Sequence, residues 1–203
     1  MKKLIIIFII IPLVVSAAKE KLYYYTISES SLITISGTTN INAFECLWTG
    51  SIVQGSLVTS IYPFEDQIKF ENALLLIGIK RFNCNNRIMS SDMHKAMGAD
   101  KHPYIEIELL KVENINNEQI SSNSGKLKVD VVITINGVQQ KTSLNINWSS
   151  VSNIHYVLNG SKSLKMSNFD IDPPSRAFGM IRVYDMINIE FSLILQTQLI
   201  SQR

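Results

Sequence analysis

Apolar and polar residues alternate with a period of two over most of this chain. Lys126–Ile135 places Leu127, Val129, Val131, Ile133 and Ile135 on one face, and Lys126, Lys128, Asp130 and Thr134 on the other. Ile181–Gln196 repeats the pattern over a longer span. Ile181, Val183, Ile187, Ile189, Phe191, Leu193 and Leu195 share one face, with Arg182, Tyr184, Asn188, Glu190, Ser192 and Gln196 opposite. Tyr104–Leu110 sets Ile105, Ile107 and Leu109 against Glu106 and Glu108. Successive side chains of a strand point to opposite faces, so each segment predicts a strand with one dry and one wet side. Weaker forms of the pattern predict strands at Tyr23–Ser28, Ser31–Ser36, Ile52–Ser60, Gln67–Leu76 and Thr142–Trp148. Ile154–Leu158 and Lys162–Met166 predict a further pair, or one strand bent at Gly160. Ser36–Cys46 reads as a turn leading into a strand that ends in a cysteine.

Turn chemistry separates these segments. Asn136-Gly137 is a hairpin signal, and Ser121–Gly125 is a polar loop. Asp172-Pro173-Pro174 interrupts ladder pairing, because proline has no N–H to donate. One segment breaks the period. Met89, Met93 and Met97 recur at i, i+4 and i+8, the stripe of a short helix over residues 88–97. Ser90 or Ser91 is its expected N-cap and Gly98 its expected end. His102-Pro103 then predicts extended backbone leading into the Tyr104 strand. The expected class is therefore all-β, with near eight antiparallel strands in hairpin-like succession and one inserted helix. Such a sheet buries its dry face as a sandwich or as a barrel, and an eight-stranded barrel can hold one small ligand.

The first residues change the picture of where this sheet works. Lys2 and Lys3 precede an apolar run of 12 residues, Leu4–Val15, followed by the small residues Ser16, Ala17 and Ala18. That is the layout of a signal peptide over 1–17, leaving one domain over 18–203. The run is shorter than the roughly 20 apolar residues a membrane-spanning helix needs. No cysteine follows it before Cys46, so a lipoprotein route has no residue to acylate. The expected location is periplasmic or secreted. Losing Lys2 and Lys3 would leave 17 of the 19 basic residues against 17 acidic ones. A near-neutral domain lacks the basic face that nucleic acid requires. Cys46 and Cys84 are the two cysteines; in an exported chain a disulfide is favoured over a metal site, two separate buried thiols being the alternative.

Four stretches, taken in order, give the chain a family resemblance. Ser30–Cys46 carries Gly37-Thr38-Thr39-Asn40-Ile41 and closes on Phe44-Glu45-Cys46. Phe82–Leu109 carries Phe82-Asn83-Cys84, the Met-x-x-x-Met helix and Lys101-His102-Pro103-x-Ile105-x-Ile107. Gly125–Val138 holds the alternating strand and the Gly137-Val138 turn. Met166–Leu195 carries Met166-x-x-Phe169-x-Ile171-x-Pro173-Pro174, then Phe178-Gly179, then the long strand with Asp185. Together they resemble the YceI-like family, exported lipocalin-like proteins associated with polyisoprenoid binding. The resemblance implies an extended eight-stranded antiparallel barrel around a long apolar channel, a helix near one end, and a prenyl-tailed or quinone-like lipid inside. Gln139-Gln140-Lys141 departs from the Thr-plus-basic pattern frequent in the family after the Gly-Val turn.

The ligand-binding candidates follow from that channel: Ile105, Ile107, Leu127, Val129, Val131, Ile133, Ile181, Val183, Ile187, Ile189 and Phe191 on the walls, with Met93 and Met97 from the helix. By residue type alone the same side chains fit a filled core equally well, and then the chain is a structural or interaction domain of the envelope. His94 and His102 with Met93 or Asp92 fall short of a recognised metal-ligand spacing. Neither Glu106 with Glu108 nor Asp170 with Asp172 has the companions that acid–base chemistry needs. The expectation is a non-enzymatic protein without metal or covalent cofactor. Its partner would be an apolar lipid, with no nucleic acid and no membrane span after leader cleavage; a homodimer is compatible.

Overall fold

Thirteen strand segments and one helix organise the described residues of this computed structural model, which are 19–50, 53–62, 67–113 and 122–202. In chain order the strands are β1 (Lys19–Ile27), β2 (Leu32–Thr39), β3 (Ala43–Trp48), β4 (Val53–Tyr62), β5 (Gln67–Glu71), β6 (Leu74–Gly78) and β7 (Phe82–Asn83). Helix α1 (Arg87–Ala96) follows, then β8 (Tyr104–Val112), β9 (Ser124–Ile135), β10 (Val138–Ser152), β11 (His155–Lys165), β12 (Ser175–Arg176) and β13 (Ile181–Gln202). The expected leader and Ile52 lie outside the described residues.

Eight strands form a ring in the order β1-β4-β5-β8-β9-β10-β11-β13, closed by antiparallel pairing of β13 with β1. The fold is thus the expected antiparallel, lipocalin-like one. Two strands serve two partners each along one edge. β13 pairs β2 through Val183–Ser192 and then β1 through Leu195–Gln202, so β2 and β1 lie end to end. β8 pairs β6 through Tyr104–Glu108 and β5 through Lys111–Val112. At one end, continuous backbone ladders close the ring. At the other, the wall runs β13-β2-β3-β7 on one side and stops at β6 on the other. A 3-10 turn at Ile79–Arg81 links β6 to β7 along the chain.

The period-two faces point as expected. Val129, Val131, Ile133 and Ile135 of β9 are buried while Lys126 and Lys128 are exposed. They join Ile105, Val112, Ile27, Ile33, Ile35 and Leu144 in one contiguous core. Two details differ from the sequence reading, and one choice it left open is decided. Gln67–Leu76 is two strands, because Asn72 adopts left-handed backbone (φ 57°) and Ala73 is buried between them. Ile154–Leu158 and Lys162–Met166 are one strand, β11, with the Phe191 ring of β13 lying over Gly160 where any side chain would collide. Helix α1 is capped by Asn86, not by Ser90 or Ser91: its Oδ1 accepts from the N–H groups of Ile88 (2.9 Å) and Met89 (3.1 Å). Ser90 sits one turn inside, donating to the Asn86 carbonyl (2.9 Å) and accepting from the Cys84 N–H (3.0 Å). Asn136 and Gly137 both take positive φ (54° and 77°), as the hairpin signal demands.

Candidate functional site

The helical end is assembled from parts that are not ladders. The N-terminus of α1 is held by its asparagine cap, which satisfies donors that no helical carbonyl can reach. Its C-terminus ends in a Schellman arrangement. The N–H of Gly98 (φ 67°) bonds the Lys95 carbonyl (3.0 Å), and the N–H of Ala99 bonds the His94 carbonyl (3.0 Å). Cys84, between β7 and α1, is disulfide-bonded to Cys46 of β3, and both are buried. The bridge closes a 38-residue separation, worth about 4 kcal/mol by chain entropy. His94 Nε2 bonds the Phe82 carbonyl (2.9 Å), docking the helix on β7. Across the opening, the 3-10 turn Met166–Phe169 is fixed by Gln140 Nε2 donating to the Asn168 carbonyl (2.8 Å).

These parts enclose a cavity of about 290 Å³. Ile35, Phe44 and Cys46 of β2 and β3 line one side. Met89, Met93, Ala96 and Met97 of α1 line another. Ile135, Met166, Phe169 and Ile171 form the floor, and Ile181, Val183 and Ile187 of β13 complete the wall. The surface is overwhelmingly apolar; its polar side chains are Thr39, which is buried, Asp92, which is half-buried, and the exposed Asn42, Asn86 and Arg176. Several are engaged with one another. The Thr39 hydroxyl bonds the Asn42 carbonyl (3.0 Å) and Oδ1 (2.8 Å). The Arg176 guanidinium makes a two-pronged ion pair with Asp92, from β12 to α1. That pairing pushes the Arg176 guanidinium further above its usual range. Asp185 accepts from both the N–H (2.8 Å) and the hydroxyl (2.7 Å) of Ser167, and these bonds hold its carboxyl below the usual carboxylate range. An apolar chamber of this kind can take up an apolar tail.

The residues expected to contact ligand fall into two groups. Ile181, Val183, Ile187, Met93 and Met97 line the cavity. Ile105, Val129, Val131 and Ile133 are buried in the core cluster, with Ile107, Leu127, Ile189 and Phe191 packed against it. Val131 is fully buried, at 0 % exposure, and Ile133 is at 4 %. In this structure those wall residues meet one another. The sequence reading missed Ile35, Phe44, Met166, Phe169 and Ile171. The signals were present in the Phe44-x-Cys46 and Met166-x-x-Phe169-x-Ile171 stretches, but no periodicity says that these segments converge.

His155 Nδ1 lies 2.9 Å from Ser152 Oγ. This is a turn contact across the β10–β11 hairpin, with the same oxygen accepting from the Ile154 N–H (3.4 Å). Among the described residues no group of three His, Cys, Asp or Glu side chains is arranged to hold a metal ion. No helix among them is long and apolar enough to cross a membrane.

An eight-stranded antiparallel ring with a helix-capped apolar chamber defines a lipocalin-like class of protein. The chain belongs to the YceI-like family: the family model for the YceI-like domain matches residues 26–195. Its fold is similar to that of a polyisoprenoid-binding domain from Saccharophagus degradans implicated in plant cell wall breakdown. That match has a TM-score of 0.61 at 9 % identity, covering 86 % of this chain and 98 % of that one. It is also similar to Burkholderia cenocepacia BcnA, with a TM-score of 0.59 at 14 % identity, covering 83 % and 98 % of the two chains. No curated protein matches the chain.

Proposed function

We propose that this protein is an exported carrier or store for a long apolar lipid of the isoprenoid or quinone type, held with its tail in the chamber at the helical end. The observation that carries the reading is an apolar lining drawn from β2, β3, β9, α1, β13 and the Met166–Phe169 turn, with polar side chains in the minority. Membership of the YceI-like family and the polyisoprenoid-binding description of the structural relative support it. Burial of each methylene contributes about 0.8 kcal/mol, so about 20 carbons contribute ~16 kcal/mol, enough to exceed association costs of ~4–15 kcal/mol. No charged contact is then required. The unbranched methionines Met89, Met93 and Met97 suit a wall that must adapt to a flexible tail. The leader-like first 17 residues support export to the periplasm or beyond.

A packed envelope scaffold is favoured by one observation, the full burial of Val131 and its neighbours in the central core. Mass spectrometry of lipid extracted from purified protein separates the two readings. The carrier predicts repeated recovery of one class of long-chain apolar lipid. It also predicts that Met93→Arg, which places a charge on the chamber wall, lowers lipid per protein at least tenfold while the protein stays folded. Repeated preparations without long-chain lipid would leave only the scaffold.

A further inference from the structure

The loop after β12 has an unusual backbone. Ala177, Phe178 and Gly179 take positive φ in succession (52°, 52° and 84°). Left-handed backbone is unfavourable for alanine and more so for phenylalanine. Here it leaves the Phe178 ring wholly in solvent, and Met180 beside it is 68 % exposed. A strained loop that presents an aromatic ring to water points to an apolar partner.

Two further apolar side chains stand at the same opening. Ile41, at the tip of the β2–β3 turn, is 65 % exposed, and Ile88, at the start of α1, is 64 % exposed; both also line the chamber. The three segments are tied together. Asn40 Nδ2 donates to the Met180 carbonyl (2.8 Å), and Asn40 Oδ1 accepts from the Arg182 N–H (2.8 Å). Arg176, just before the loop, is ion-paired with Asp92 of α1. Ile41, Ile88, Phe178 and Met180 therefore form a rim around the mouth of the chamber.

We propose that this rim docks on a lipid bilayer, with the loop at 177–180 inserted at the headgroup boundary and the chamber opening onto the acyl region. The choice of a bilayer rests partly on the lipid-carrier reading, since the cargo of such a chamber resides in membranes. It also rests on the shape of the rim. The four side chains project from two loop tips and a helix start. A fluid hydrocarbon interface accommodates such projections without a matching surface, and its binding strength scales with the apolar area buried. Exposed Arg87 and Arg182 flank the apolar tips, where anionic headgroups would meet them.

The test uses the full chain and vesicles of phosphatidylcholine and phosphatidylglycerol that contain no isoprenoid. The apolar run 4–15 is common to parent and variants, so differences between them report on the loop. Phe178→Trp adds an indole whose emission, taken as the difference from the parent with its own Trp48 and Trp148, should shift to shorter wavelength when vesicles are added. The double variant Phe178→Asp with Met180→Asp should bind vesicles at least about tenfold more weakly, because the inserted apolar area is lost. It should exchange lipid with them correspondingly more slowly, with unchanged melting temperature and unchanged lipid per protein at saturation. Emission from the added indole that does not move, or equal vesicle affinity of parent and double variant, overturns the docking. So does a parent dimer in sedimentation that the double variant abolishes while vesicles leave both proteins free, because then a second copy covers the rim. An emission shift from protein that yields no extractable lipid supports docking while removing the carrier reading, so the two failures are distinguishable.

Discussion

The β9–β10 wall and the helical end are built by opposite means. β9 and β10 pair without a break from Val138–Ile135 to Ser149–Ser124. The continuous ladder fixes the register residue by residue, and every second side chain is driven inward. On β9 the inward side chains are aliphatic and of similar size, and they close into the core. At the helical end β3 and β7 share two residue pairs, and a disulfide, a helix cap, a Schellman turn and an ion pair hold the remainder. Those devices fix positions at points, not along lines. This contrast locates the space in the fold: the chamber opens where the ladders stop.

Removing the disulfide should give the largest effect and separate the two regions most clearly. Cys46→Ser with Cys84→Ser should cost about 4 kcal/mol in denaturant unfolding, the loop-closure value. Native-state hydrogen exchange should rise first in α1 and β3 while β9 and β10 stay protected. A uniform loss of protection would show that the helical end is not an independent unit.

Next in size, Ile133→Ala should cost about 3 kcal/mol by leaving a cavity in the packed wall. Its lipid content should stay near that of the parent, because Ile133 is in the core and not on the chamber. A large loss of bound lipid would show that the tail reaches down the wall, and would merge the two regions into one site.

The smallest effect concerns pH. The Ser167 bonds depress the Asp185 carboxyl, so the stability they give is present above the unfolded carboxylate value and fades as pH falls through the lower folded one. Stability should therefore decline on acidification below about pH 4, and Asp185→Asn should flatten that decline. Melting temperatures at pH 6 and pH 3 for both proteins check the sign. An unchanged acid limb would remove Asp185 from the set of contacts holding the helical end.

Much of this architecture is legible in the chain. Alternation at Lys126–Ile135 and Ile181–Gln196 sets strands and faces, because a two-residue period admits no other assignment that buries one side. Asn136-Gly137 sets a hairpin because both positions take left-handed backbone. The methionine stripe sets a helix, and Gly98 its end. The cap is not legible in the same way, because Asn86 lies two residues ahead of the expected start, and the serines behind it are equally good capping types.

The chain alone settles which side of each strand is dry. Whether those dry sides meet or stand apart is a matter of how the segments are held together in space. Val131 and Val183 belong to the same kind of alternating strand, yet one is packed in the core and the other faces a chamber. The reason is that alternation is a property of one segment. Empty volume depends on the distance between segments, and at the helical end that distance is set by the Cys46–Cys84 bridge, the Asn86 cap and the Asp92–Arg176 pair, all contacts between residues far apart in the chain or outside any period.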